Sequence, residues 1–115
     1  MIDSIFDCIM SMLGPDIDGE FGPAVIAHIN SALTSLAQVG ACPKGSMITG
    51  ANETWSDIFY TSAIAMKART YIYYKVRLGF DPPQNSFAIE SMKSLADEEL
   101  WRINSDADYD DEDDD

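Results

Sequence analysis

The residues that could do chemistry are few and badly placed for it. The chain has one histidine, His28, and two cysteines, Cys8 and Cys42. His28 falls on the polar side of an apolar helical stripe. No cysteine nucleophile lies near it in sequence and no aspartate is placed to orient its ring, so it reads as a structural or interfacial group. The cysteines have neither metal-ligand nor redox spacing. They read as two reduced, partly buried cytosolic thiols, with a disulfide or a metal as the alternative. Glycines 14, 19 and 22 fit no phosphate-binding loop. Carboxylates crowd only into the closing DADYDDEDDD, where no neighbouring structure would hold a pair in place for acid–base work. Asp106, Asp108 and Asp110 alternate as in a calcium loop, but the stretch lacks the central glycine and the terminal bidentate glutamate. Weak, diffuse cation binding is the most it supports. Catalytic, metal and cofactor sites are therefore expected to be absent.

The elements that carry these residues belong to one small domain. The chain has 115 residues, 46% of them hydrophobic, and a formal net charge of −13. The last ten residues hold eight of its 20 acids, which leaves 12 acids against 7 Lys and Arg, a balance of −5. An acidic body argues against a nonspecific nucleic-acid clamp, which needs positive charge to release counterions. Four of the seven cations (Lys67, Arg69, Lys75 and Arg77) lie close together in sequence. On a helix, however, they spread around the axis instead of forming the one stripe that phosphate tracking requires. The start, MIDSIFDCIM, carries Asp3 and Asp7 and no early cation, against a secretory signal. No apolar run is long enough to span a bilayer.

The periodicity predicts an all-α fold, a small bundle of about four helices. The first covers residues 2–13, with Ile2, Ile5, Phe6, Ile9 and Leu13 at helical spacing. Two Gly-Pro pairs break it. The second runs from Pro23 to about Val39 and stops at Gly40. Residues 40–53 form a long loop with a possible short strand or hairpin at SMIT. Thr54 and Asp57 form a capping arrangement that opens a short helical turn. A third long helix covers 62–78, ended by Gly79 and by Asp81-Pro82-Pro83. A fourth covers 86–103. The domain is read as residues 1–104, followed by a disordered acidic tail at 105–115.

The faces of these helices carry the functional information. The second helix has a stripe of Val25, Ile26, Ile29, Leu33 and Leu36. Its other side holds no charge at all, only His28, Asn30, Ser31, Thr34, Ser35 and Gln38. Small uncharged polar residues suit packing against another subunit; a plain exposed face is the alternative. In the third helix Ile64, Ala65, Ala68, Tyr71, Ile72 and Val76 share a face with Lys75 in it. In the fourth, Ala88, Ile89, Met92, Leu95, Ala96, Leu100 and Ile103 share a face with Glu99 in it. Lys75 and Glu99 are therefore expected to pair with each other, or with partners on another subunit, because an unpaired buried charge is costly. Long stems reaching outward to water are the alternative. Met66, Thr70, Tyr73 and Arg77 face outward on the third helix, as do Phe87 and Trp101 on the fourth. These residue types are enriched at interfaces.

The stretches HINSALTSLAQVG (28–40), TW (54–55), YIYYKVRLGFDPPQNSFAIESMK (71–93) and ELWRIN (99–104) resemble the head–tail connector, or adaptor, family of tailed bacteriophages. The K-V-R-L-x-F-D-P-P run, the S-F-x-I-E after it and the closing E-x-W-R-x-N carry the likeness. Lys75, Arg77, Phe80, Asp81, Pro82 and Pro83 match the central motif; Glu99, Trp101, Arg102 and Asn104 match the closing one. The resemblance implies a non-catalytic structural protein that forms a homo-oligomeric ring of about a dozen copies below the portal. Such a ring extends the DNA channel and offers a platform to the next neck or tail protein. Its place is the neck of the virion, after assembly in the host cytoplasm, with no membrane involved. Duplex DNA passes through without specific binding. The C-terminal segment of such adaptors reaches toward the portal, which makes Arg102, Asn104, Asp108 and Tyr109 docking candidates. The extension after Asn104 departs from the family's short ending.

The competing reading is a small acidic binding module, a DNA mimic acting through its tail. The tail itself has two readings as part of an adaptor. It docks on a basic portal surface with Tyr109 as apolar anchor, or it hangs in the channel as a repulsive brush. A plain solubility tail is the bland alternative.

Overall fold

The computed structural model describes residues 4–14, 19–80 and 82–113, with side chains as far as Ser105. The described chain is helical with no strand. Its elements are α1 (Ile5–Leu13), a 3-10 turn (Gly19–Phe21), α2 (Gly22–Gln38), α3 (Trp55–Ile58), α4 (Ser62–Phe80) and α5 (Ser86–Asp113).

Local chemistry explains most boundaries. Ser4 caps α1 by accepting the Asp7 N–H at 3.2 Å, and Gly14 ends it at φ +104°. Pro23 sits in the first turn of α2, where its missing N–H costs nothing. At the other end Gly40 turns left-handed at φ +86°. Its N–H reaches the Ala37 carbonyl while the Ala41 N–H reaches that of Leu36, the paired bonds of a Schellman stop. Thr54 and Asp57 form the reciprocal capping box read from the sequence. The Asn85 carboxamide oxygen opens α5 by accepting the N–H groups of Phe87 and Ala88 at 2.7 and 3.2 Å.

The core lies between α2 and α4, closed by α1 and by the loop after α2. Val25, Ile29, Ala32, Leu33 and Leu36 of α2 are fully buried against Ile64, Ala65, Ala68, Tyr71, Ile72 and Val76 of α4. The predicted inward face of α4 is thus the observed one. Burying each large aliphatic side chain here contributes about 1.5–3 kcal/mol. Cys8 and Cys42 are both free and buried. Burial pushes the Cys42 thiol up, partly offset by a hydrogen bond with Ser46.

Four expectations change. Gly79 does not stop its helix: α4 continues through Phe80, and the role of Gly79 is space. A Cβ there would stand 2.7 Å from the His28 ring. The possible strand at 46–49 does not form. Asn30 instead takes both backbone groups of Ile48 with its side chain, donating to the carbonyl at 3.0 Å and accepting the N–H at 2.7 Å. One helix side chain replaces a ladder rung. Leu95 is not inward but 45% exposed, and among the described residues of α5 only Ala96 and Ile103 are buried. Finally, α5 extends to Asp113, past the end read at Ile103 and into the stretch expected to be disordered. No glycine or proline follows Pro83, and extending an existing helix adds a hydrogen bond for each residue fixed.

Candidate functional site

Without a reaction centre, the functional residues must be those that present surfaces. Two helices supply most of them. On α4, Met66 is 64% exposed. About two and three turns further along, the half-buried Tyr73 and Arg77 are joined by a 3.1 Å bond from the guanidinium to the phenol oxygen. Tyr73 also lies against Tyr74, with ring centroids 5.9 Å apart. On α5, Phe87, Leu95 and Trp101 are all exposed, Phe87 most of all at 78%. The spacing of Phe87 and Trp101 places them on the side of α5 turned away from Ala96 and Ile103, with Leu95 at the flank between. Phe87 and Leu95 line an open apolar groove with Glu90, Ser91 and Ser94.

The uncharged side of α2 divides in two. His28, Asn30 and Ser35 are engaged inside the chain. His28 rests on Gly79 and approaches Phe80 edge-on, with centroids 6.5 Å apart, and Phe80 in turn meets Phe21 at 5.3 Å. Asn30 holds the loop. Ser35 hydrogen-bonds the Tyr71 hydroxyl, whose titration burial pushes up, against the effect of that bond and with the Asp97 charge adding to it. Only Ser31, Thr34 and Gln38 remain exposed, and the Thr34 hydroxyl donates to the Asn30 carbonyl of its own helix.

The expected Lys75–Glu99 pair does not form within the chain. Glu99 sits 3.4 Å from Arg102, which also meets Glu98 at 2.6 Å. Exposed pairs of this i,i+3 and i,i+4 kind contribute a few tenths of a kcal/mol each. Lys75 is exposed; its long stem carries the ammonium out of the seam. It lines a cleft of about 440 Å³ between α2, α4 and α5, together with His28, Ser31, Leu78, Lys93 and Asp97. The small residues Gly79 and Ala96 open this cleft, a signal the sequence reading used only for turn and core.

A family model described as phage connector protein matches residues 5–110. The chain belongs to the phage connector family. No curated protein and no solved structure matches it. The connector is thus a structural component of a phage particle, made to contact other virion proteins, and the match covers all the motif residues as well as part of the acidic stretch. Phe80 and Pro83 are half-buried and Pro82 exposed at the turn into α5. Asp81 lies outside the described residues, as do the side chains of Asp108 and Tyr109. Arg102 is held by its own helix, and Asn104 is half-buried. Among the described residues no three His, Cys, Asp or Glu side chains gather as a metal site. No helix there is long and apolar enough to cross a membrane.

Proposed function

We propose that this connector is a neck adaptor, a ring of about a dozen copies docked under the portal that prolongs the DNA channel and receives the next neck or tail protein. Membership of the connector family over residues 5–110 carries this reading. Two features of the molecule support it. A ring needs two different, complementary side faces on each subunit, and the connector has a Met66/Tyr73/Arg77 face on α4 and a Phe87/Leu95/Trp101 face on α5. The α5 face exposes more apolar surface than an isolated small protein has reason to keep. The net charge of −13 suits a conduit, since negative walls repel phosphates and let duplex DNA slide.

The test is a double substitution, Phe87→Ser with Trp101→Ser. Both side chains are exposed, so the monomer should keep its helical content and melting temperature. Ring formation with portal, read by native mass spectrometry and by electron microscopy of the neck, should be lost. Rings of unchanged abundance would remove the α5 face from the interface. Absence of the wild-type protein from the necks of particles would overturn the adaptor reading as a whole.

A further inference from the structure

The cleft between α2, α4 and α5 has a charge that the chain itself does not satisfy. Lys75 projects into it from α4 and Lys93 from α5. Among the described residues no acid lies within ion-pair distance of Lys75, and Lys93 has only the exposed Glu90 at 3.8 Å. Asp97 is the one acid on the cleft wall. Two lysines thus face one aspartate on a protein whose net charge is −13. Leu78 and Ala96 add an apolar floor, and Gly79 and Ala96 make the room.

From these features we infer that the cleft receives the acidic segment 106–115 of a neighbouring copy, an inference that rests on the ring reading above. Charge complementarity selects the ligand. The segment carries eight acids in ten residues, with Tyr109 among them as a ring suited to the Leu78 and Ala96 floor. Reach selects the donor. Lys93 and Asp97 belong to α5, and the helix runs from them straight on to Asp113. At 1.5 Å per residue the acidic segment begins about 20 Å beyond Lys93 and leads further away. A helix cannot double back on its own flank, so the segment can occupy this cleft only in another subunit. Duplex phosphate, the other polyanion nearby, is disfavoured by the overall negative field. A subunit that extends its tail into the next one and accepts a tail from behind makes a head-to-tail contact, the kind that closes rings.

Zero-length carbodiimide coupling of carboxylates to lysine amines tests this on the full chain. Isotopically labelled and unlabelled protein are mixed, assembled with portal, and coupled. The expected products join Lys75 or Lys93 to the 106–115 segment, in pairs of mixed isotope. Replacing both lysines, Lys75→Gln with Lys93→Gln, removes the amines and abolishes these products by itself; the docking is read instead as a roughly tenfold weaker association between subunits, the size of two partly exposed ion pairs, while circular dichroism stays unchanged. Rings whose tails couple equally to Lys44 and Lys67, or only within one isotope, would overturn the docking and leave the ring intact. Tails that couple only to portal lysines would do the same. Failure to form any assembly would overturn the ring reading and this inference with it.

Discussion

α2 and α5 both lie against α4, but they use it differently. α2 has 17 residues and buries six of them, Gly22, Val25, Ile29, Ala32, Leu33 and Leu36. α5 has 28 residues and, among those whose side chains are described, buries only Ala96 and Ile103. α2 has no charged side chain, and three of its polar groups, Asn30, Ser35 and His28, are drawn inward to the Ile48 backbone, to Tyr71 and to the end of α4. α5 has ion pairs along its own surface, an exposed apolar row and a charged cleft at its edge. The first helix makes the domain. The second is held along one side and leaves most of its circumference exposed. A structural component needs both kinds of helix, because a surface that binds partners cannot also be folded into the core.

The contrast can be broken most directly by truncation. Leu33→Ala should destabilise the fold by about 2–5 kcal/mol, a large share of the roughly 5–15 kcal/mol that holds a domain of this size. Leu95→Ala on α5 should stay within about 0.5 kcal/mol. Urea midpoints compare them, and equal losses would show that α5 is as much core as α2.

A smaller effect sharpens the seam between α2 and α4. Were Gly79 only a weak helix former, Gly79→Ala would stabilise α4 by about 1 kcal/mol. The 2.7 Å approach of the His28 ring predicts the opposite sign, a loss of about 1–3 kcal/mol from overpacking. His28→Ala in the same chain should restore the gain. A stabilising single substitution would refute the close approach.

The smallest effect concerns the loop that α2 holds. Glu53 accepts the Thr49 N–H and hydroxyl, both at 2.9 Å. These bonds hold its carboxyl below the usual carboxylate range, against a lesser opposing effect of burial. Its folded value lies below its unfolded one, so its contribution is present above the ordinary carboxylate range and is lost as pH falls through the lower folded value. The wild type should therefore lose stability on acidification slightly faster than Glu53→Gln. Identical pH profiles of the urea midpoint would mean that the loop is held by Asn30 and the buried Ile48 alone.

Much of the fold is legible in the residues. The Schellman stop at Gly40, the capping box at Thr54 and the inward face of α4 are local or periodic properties, fixed by side-chain type and by the helical repeat of 3.6 residues. The family motifs are legible too, since they are strings. The partner of Lys75, the loop's dependence on Asn30 and the purpose of Gly79 are not. Periodicity tells which residues share a face but not how wide a strip the neighbouring helix covers. Leu95 belongs to the apolar face of α5 by angle and to the solvent by geometry, because the packing centres on Ala96 and Ile103, with Leu100 beside them, and Leu95 lies at its edge.

The sequence by itself determined an all-helical connector with an acidic end, because helical repeat, caps, breakers and motif strings are written along the chain. The tertiary structure alone decided which polar groups are used up inside and which are left exposed. His28, Asn30 and Ser35 face inward because α4 and the loop come within hydrogen-bond or ring contact of them. Lys75, Phe87 and Trp101 remain outside because no described part of the same chain comes across to cover them.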